Sequence, residues 1–147
     1  MSLILVRHGK SEWNKENKFT GWIDVDLAEE GVEEANNCGL RLKNKNIDYC
    51  FTSDLLRSKR TAELILKYFD DKIPVNHNEA LKERDYGDLS GKNKDEARKE
   101  FGEEQVHKWR RGFYEKPPNG ENLDDVVKRV GYFYDLKIYP LIKKNKK

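Results

Sequence analysis

Apolar residues in this chain fall into two alternating kinds of cluster. Leu3 to Val6 is a short unbroken apolar run, the pattern of a strand buried on both faces. Val32, Ala35, Gly39 and Leu42 follow at helical spacing and mark one face of a helix. Residues 47–52 (IDYCFT) predict a second strand, Ala62, Ile65, Leu66 and Phe69 a second helix, and Ile73-Pro74-Val75 a third, short strand. This βαβαβ order calls for parallel strands joined by right-handed crossovers, with helices on both faces. The expected fold is therefore α/β: three layers, α/β/α, around a mainly parallel sheet.

Beyond residue 80 the periodicity is lost. The stretch LKERDYGDLSGKNKDE is rich in charge and Gly, which predicts a loop that ends by capping a helix. A helix is expected over 94–109, the run KPPNG breaks the chain, and Leu123, Val127, Val130 and Tyr134 line a last helix that runs toward Pro140. At 147 residues the chain fits one domain, 1–147.

Composition narrows the class. The chain is 36% hydrophobic and 38% charged, yet it carries 3 Trp, 7 Tyr and 6 Phe, more than a disordered chain usually holds. Lys and Arg number 29 against 27 Asp and Glu, a net charge of +2. Overall charge thus implies neither a nucleic-acid nor a membrane partner, and any basic site must be local. No apolar run approaches the ~20 residues of a membrane helix, and no basic leader precedes Leu3. Cys38 and Cys50 form neither a CxxC pair nor a disulfide framework. The expectation is a cytoplasmic protein, and with three scattered His no metal site is expected.

Candidate chemistry begins at Arg7-His8-Gly9, directly after the first apolar run. Open parallel sheets bind ligands outside the carboxyl ends of their strands. A guanidinium there suits phosphate oxygens, a neutral imidazole can attack phosphorus, and a Gly lets the backbone turn sharply or a ligand come close.

More of the chain bears on the same point. RHGKSEWN, FTGWIDVDL (19–27), FTSDLLRSKRTA (51–62), ERDYGDLSGKNK (83–94) and HKWRRGF (107–113) together resemble the cofactor-dependent phosphoglycerate mutases of the histidine phosphatase superfamily. The resemblance implies interconversion of 3- and 2-phosphoglycerate, with 2,3-bisphosphoglycerate as phosphoryl donor and His8 as the phosphorylated nucleophile. Glu83 matches the proton donor and acceptor. Arg7 and Arg57 match the cations around the transferring group, and Asn14, Thr20 and Gly21 match groups that hold substrate. Arg84, Tyr86, Lys94, Arg110 and Arg111 match the remaining substrate contacts. Small phosphoglycerates are the implied partners, and a homo-oligomer is expected.

Several of these residues also have a plain reading. Arg57 near a helix start is ordinarily solvated surface, and Glu83 is one more loop acid. Lys94, Arg110 and Arg111 stand among many Glu, where surface ion pairs are the usual explanation. His77 and His107 read as structural or surface residues. Two other functions compete with the mutase: a histidine phosphatase that hydrolyses a small phosphorylated metabolite, and a non-catalytic phosphate-binding remnant. Family members continue into a further strand ending in an Ala-His-Gly-Asn-like motif with a second catalytic His, and this sequence contains no AHG. The expectation is a mutase-like fold lacking the family's C-terminal strands, with an unpaired edge at Leu3–Val6, weak turnover and self-association.

Overall fold

The computed structural model describes residues 2–144. Its first element, α1 (Glu12–Lys15), is a single turn fixed by reciprocal capping: Ser11 Oγ accepts from the Asn14 amide, and Asn14 Oδ1 accepts from the Ser11 amide. Helix α2 (Glu29–Leu42) begins with two acids, favourable at a helix N-terminus, and buries Gly31, Ala35 and Gly39. Strand β1 (Cys50–Thr52) leads into α3 (Leu56–Leu66), which returns the chain to β2 (Val75–His77). The two strands pair in parallel, Cys50 opposite Val75 and Thr52 opposite His77. Helix α3 is the crossover that parallel pairing requires, and it packs against α2 on the small side chains that α2 turns inward.

The apolar run at Leu3–Val6 does not form the expected strand. Its side chains are all exposed, Leu5 by 86%, and no described residue offers its backbone a ladder, so the parallel sheet has two strands. Apolarity supplies a preference for extended chain, whereas a strand exists only when a neighbour takes its hydrogen bonds. Strand β1 is shorter than its apolar run, and β2, as long as its run, starts two residues later than Ile73.

The second half is helical. Short 3₁₀ turns at Glu79–Leu81 and Gly87–Leu89 flank the charged loop. Asn93 then caps α4 (Lys94–Phe101) by accepting from the Asp95 and Glu96 amides. The single helix expected over 94–109 is two, because Gly102 takes a left-handed φ of 85° that ends α4 before α5 (Glu103–Arg111) starts. Helix α6 (Leu123–Phe133) passes through one π turn, Tyr134–Ile138, into α7 (Tyr139–Lys144). The wide turn lies where Pro140, lacking an N–H and crowding the carbonyl four residues back, disfavours regular α-helix. Val127, expected on the buried face, is exposed, while Phe133 is buried and meets Phe51 of β1 edge-on at 6.0 Å. No helix of the described residues is long and apolar enough to cross a membrane.

Phe19, Leu89, Ala97 and Val106 form a buried cluster, with Tyr86 and Trp109 packed against it. A fully buried Phe stabilises by roughly 1.5–3 kcal/mol. This cluster joins α4 and α5 to the loops at 19–23 and 83–89.

Candidate active site

His8 stands at the end of the exposed N-terminal run and is fixed by its successor. The His8 Nδ1–H donates to the Gly9 carbonyl at 2.7 Å, which leaves Nε2 as the unprotonated nitrogen of the neutral ring. Gly9 in turn donates its N–H to Thr61 Oγ1 of α3 at 3.1 Å. A Cβ on Gly9 would lie 2.2 Å from the Gly31 carbonyl oxygen. The glycine is therefore required by contact with α2, a helix backbone rather than a ligand.

Arg57, in the first turn of α3, is 1% exposed and not the solvated cation its sequence position suggests. Its guanidinium donates to the carbonyls of Gly21 (2.7 Å) and Ile23 (3.0 Å) and to Glu83 Oε2 (3.2 Å). One buried side chain thus ties the 21–23 loop, where Gly21 takes φ 55°, to the Glu83 carboxylate. A buried cation needs such partners, since an unpaired one costs several kcal/mol.

Beside Glu83 opens a cleft of about 180 Å³. Arg7, Asn14, Thr20 and Glu83 line one part of it, and Tyr86, Lys94, Arg110 and Arg111 the rest. Phe19 is its floor, with Lys94 and Arg110 each 5.9 Å from the ring centroid. Lys18, which the sequence reading passed over, also lines the cleft; its adjacency to FTGW is the one signal that could have found it. His8, Gly21, Arg57 and Arg84 are not in the cleft wall; His8 adjoins it through Arg7, its neighbour in the chain. Arg84 is buried against Tyr86, donates to the Arg110 carbonyl, and has Nε and one terminal nitrogen without a partner. It supports α5 from below.

The electrostatics of the cleft are unbalanced. The neighbouring cations Lys92, Arg98 and Lys108 pair with Glu100, Asp95 and Glu104, whereas among the described residues Arg7, Lys94, Arg110 and Arg111 form no ion pair. Burial and then the Arg110 charge hold the Lys94 ammonium below its usual range. Thr20 Oγ1 is buried without a partner on the same wall. Converging cations with one free hydroxyl donor fit an anion bearing more than one phosphate or carboxylate. A second groove, of about 410 Å³, is lined by Trp22, Ala80, Tyr132 and Leu136 among others. It is mostly apolar.

Burial is the largest influence on His8 and depresses its pKa, aided by the charges of Arg57 and Arg7; the Gly9 hydrogen bond and the Glu83 charge oppose this. The net direction is down, so the ring is neutral and nucleophilic at pH 7. Arg7→Gln is expected to raise the His8 titration midpoint and Glu83→Gln to lower it, each read from the imidazole resonances by NMR. Shifts in the opposite sense would remove these residues from the surroundings of His8. Because the folded value lies below the unfolded one, His8 contributes stability above the ordinary imidazole range that is lost as pH falls through the folded value.

Residues 3–138 match the sequence profile of the histidine phosphatase superfamily (branch 1). A protein of Nitrobacter winogradskyi named 2,3-bisphosphoglycerate-dependent phosphoglycerate mutase is 51% identical over 143 residues, covering 95% of this chain and 69% of that protein. One of the same name from Methylobacterium sp. is 56% identical over 131 residues, covering 87% and 63%. Among solved structures, Bacillus stearothermophilus YhfR superposes with a TM-score of 0.77 at 32% identity, over 90% of this chain and 66% of that one. A putative alpha-ribazole-5'-P phosphatase of Escherichia coli does so with 0.75 at 27% identity, over 88% and 63%. The chain spans about two thirds of the length of these relatives.

Proposed function

This chain belongs to the histidine phosphatase superfamily, and from that premise we propose that it is a 2,3-bisphosphoglycerate-dependent phosphoglycerate mutase, interconverting 3- and 2-phosphoglycerate through a phosphohistidine at His8. The observation that carries the reading is a neutral imidazole of fixed tautomer beside a cleft of unneutralised cations that holds one carboxylate, Glu83. When bound, 2,3-bisphosphoglycerate supplies the phosphoryl group that His8 carries. The lone pair of His8 Nε2 forms the N–P bond as the ester P–O bond breaks, and the Glu83 carboxyl gives its proton to the departing oxygen. In the return step the Glu83 carboxylate takes the proton of the attacking hydroxyl, work that contributes typically ~10²–10⁴-fold. Arg7 neutralises charge on the transferring group. Lys94, Arg110 and Arg111 hold the distal phosphate or carboxylate, Asn14, Thr20 and Tyr86 orient the glycerate, and Gly21, Arg57 and Arg84 keep the wall in place.

The test is to load His8 with labelled phosphate from 2,3-bisphosphoglycerate and add unlabelled 3-phosphoglycerate. Label recovered in bisphosphoglycerate supports the mutase. Label recovered only as inorganic phosphate would make the protein a phosphatase, the activity in the name of the E. coli neighbour. No adduct at all would leave a phosphate-binding protein.

The distal clamp has its own signature. Arg110→Ala and Arg111→Ala are each expected to weaken binding of 2,3-bisphosphoglycerate about 10-fold or more, as loss of a charge-assisted hydrogen bond does. Stability should move by less than ~0.5 kcal/mol, since neither pairs with an acid. Calorimetric titration and thermal melting on the same samples separate the two effects, and parallel losses in both would make these arginines structural. The proposal includes a single domain, a cytoplasmic setting and self-association. Exposed Val127, Tyr132, Leu136 and Tyr139 along the last helix support the last of these; light scattering tests it.

A further inference from the structure

Glu83 lies in a stretch with no regular structure, between two short 3₁₀ turns. No described backbone N–H donates to the carbonyls of Ala80, Lys82 or Glu83. Their partners come from the far end of the chain. Arg129 of α6 donates one terminal nitrogen to Ala80 O and Lys82 O, both at 2.8 Å, and the other to Glu83 O at 3.0 Å. Its remaining donors form a fork on Glu121, Nε to Oε1 and a terminal nitrogen to Oε2, both at 2.8 Å. Glu121 grips the same loop from the other side: its Oε2 accepts from the Asp85 amide at 3.0 Å and its own N–H donates to Asp85 O at 2.9 Å. The Trp22 indole N–H adds a second donor to Glu83 O at 2.9 Å, and the guanidinium lies 5.9 Å from the Trp22 ring.

We propose that the Arg129–Glu121 pair is a positioning brace for Glu83, holding the loop so that its carboxyl meets the departing ester oxygen at His8. Neither brace residue lines the cationic cleft, so neither touches substrate. The inference rests on the acid–base role given to Glu83 above. Every nitrogen of the Arg129 guanidinium is engaged, which a lysine with a single point of charge cannot reproduce. Burial raises the Glu121 carboxyl, but the Arg129 fork and the Asp85 amide outweigh it and hold it below the usual carboxylate range, so the pair stays ionised through neutral pH. An acid placed in an irregular loop needs such support, because a displacement of about 1 Å from productive geometry can cost ~10²-fold in rate.

The test uses two phosphoryl donors that differ in their need for a proton. When His8 Nε2 takes phosphorus from 2,3-bisphosphoglycerate, the leaving alkoxide must receive a proton from Glu83. From 4-nitrophenyl phosphate the leaving nitrophenolate is stable and needs none. Arg129→Lys and Glu121→Gln are expected to slow single-turnover phosphorylation of His8 by bisphosphoglycerate about 10- to 100-fold. Phosphorylation by 4-nitrophenyl phosphate should stay within about twofold, and the Trp22 indole N–H resonance should move as its acceptor shifts. A merely structural loss slows both donors alike, and that result, or unchanged rates with both, would overturn the brace. Glu83→Gln separates this failure from that of its premise. If it too slows both donors equally, Glu83 is not the proton donor, and the acid–base reading falls together with the brace.

Discussion

His8→Ala is expected to take up no phosphate from labelled 2,3-bisphosphoglycerate, whereas the unaltered chain gives an acid-labile adduct. The expectation is for complete loss, because no other imidazole among the described residues stands beside the cleft. Of the other imidazoles, His77 is engaged between strands, its Nδ1 2.6 Å from Thr52 Oγ1, and His107 is exposed on α5. Removing a cation should instead leave a slower reaction, about 10²–10³-fold down for Arg7→Gln, since one electrostatic contact is lost and the attacking nitrogen remains. His8 is only half-buried, and its truncation should spare the fold. Mass spectrometry of the intact chain before and after mild acid, with a melting curve of each variant, gives all the readouts. Label that persists in His8→Ala would move the nucleophile elsewhere and remove the central assignment.

The second large effect concerns two helical glycines that should respond with opposite signs. Gly31→Ala and Gly131→Ala make the same chemical change in the interior of α2 and α6, and propensity alone favours alanine at both by ~0.5–1 kcal/mol. A Cβ on Gly131 meets nothing within 4 Å, so that variant should be stabilised by about this amount. On Gly31 it would lie 2.1 Å from the Lys10 carbonyl oxygen, just as a Cβ on Gly9 would strike Gly31. The segment that carries His8 crosses α2 backbone to backbone, and the clash has no flexible side chain to yield. Gly31→Ala should cost ~1–3 kcal/mol or more and slow His8 phosphorylation, because the Lys10 it strikes directly follows Gly9, the acceptor that fixes the His8 tautomer. Urea denaturation of both variants tests the contrast. A stabilised Gly31→Ala would mean that the crossing is looser than described.

Much of the architecture is legible from spacing because it depends on neighbours within one turn or one strand. The faces of α2 and α3, the strand–helix–strand order through β2, and the cap that starts α4 all follow from local pattern. The failures share a cause. Val127 has the period of a buried residue, but which stripe of a helix turns inward is decided by what packs on it, here Phe51 against Phe133. Gly102 breaks one predicted helix into two because a backbone at positive φ ends it, a choice that apolar period does not record.

The same division holds for the candidate site. The segments RHGKSEWN, FTGW, ERDYGDLSGKNK and WRRG bring Arg7, Asn14, Thr20, Glu83, Tyr86, Lys94, Arg110 and Arg111 to one cleft, and the family resemblance named these residues without coordinates because it is carried by contiguous motifs. Sequence could not say which cations share one space. Arg98 and Lys108 have an acid one helical turn away, Asp95 and Glu104, and Lys94, Arg110 and Arg111 have none at that spacing within their helices, but only the meeting of α4, α5 and the loops at 19 and 83 brings the second set around one cleft. Nor could it show Arg57 buried on three oxygens, or Arg129 reaching back to the Glu83 loop from α6. By itself the sequence determined local elements and the family of the chain, since those are written in residues close together. The tertiary structure decided which cations converge, which side chains are buried on which partners and that Leu3–Val6 forms no strand, because each of these is a property of pairs of residues that only folding brings within a few ångströms.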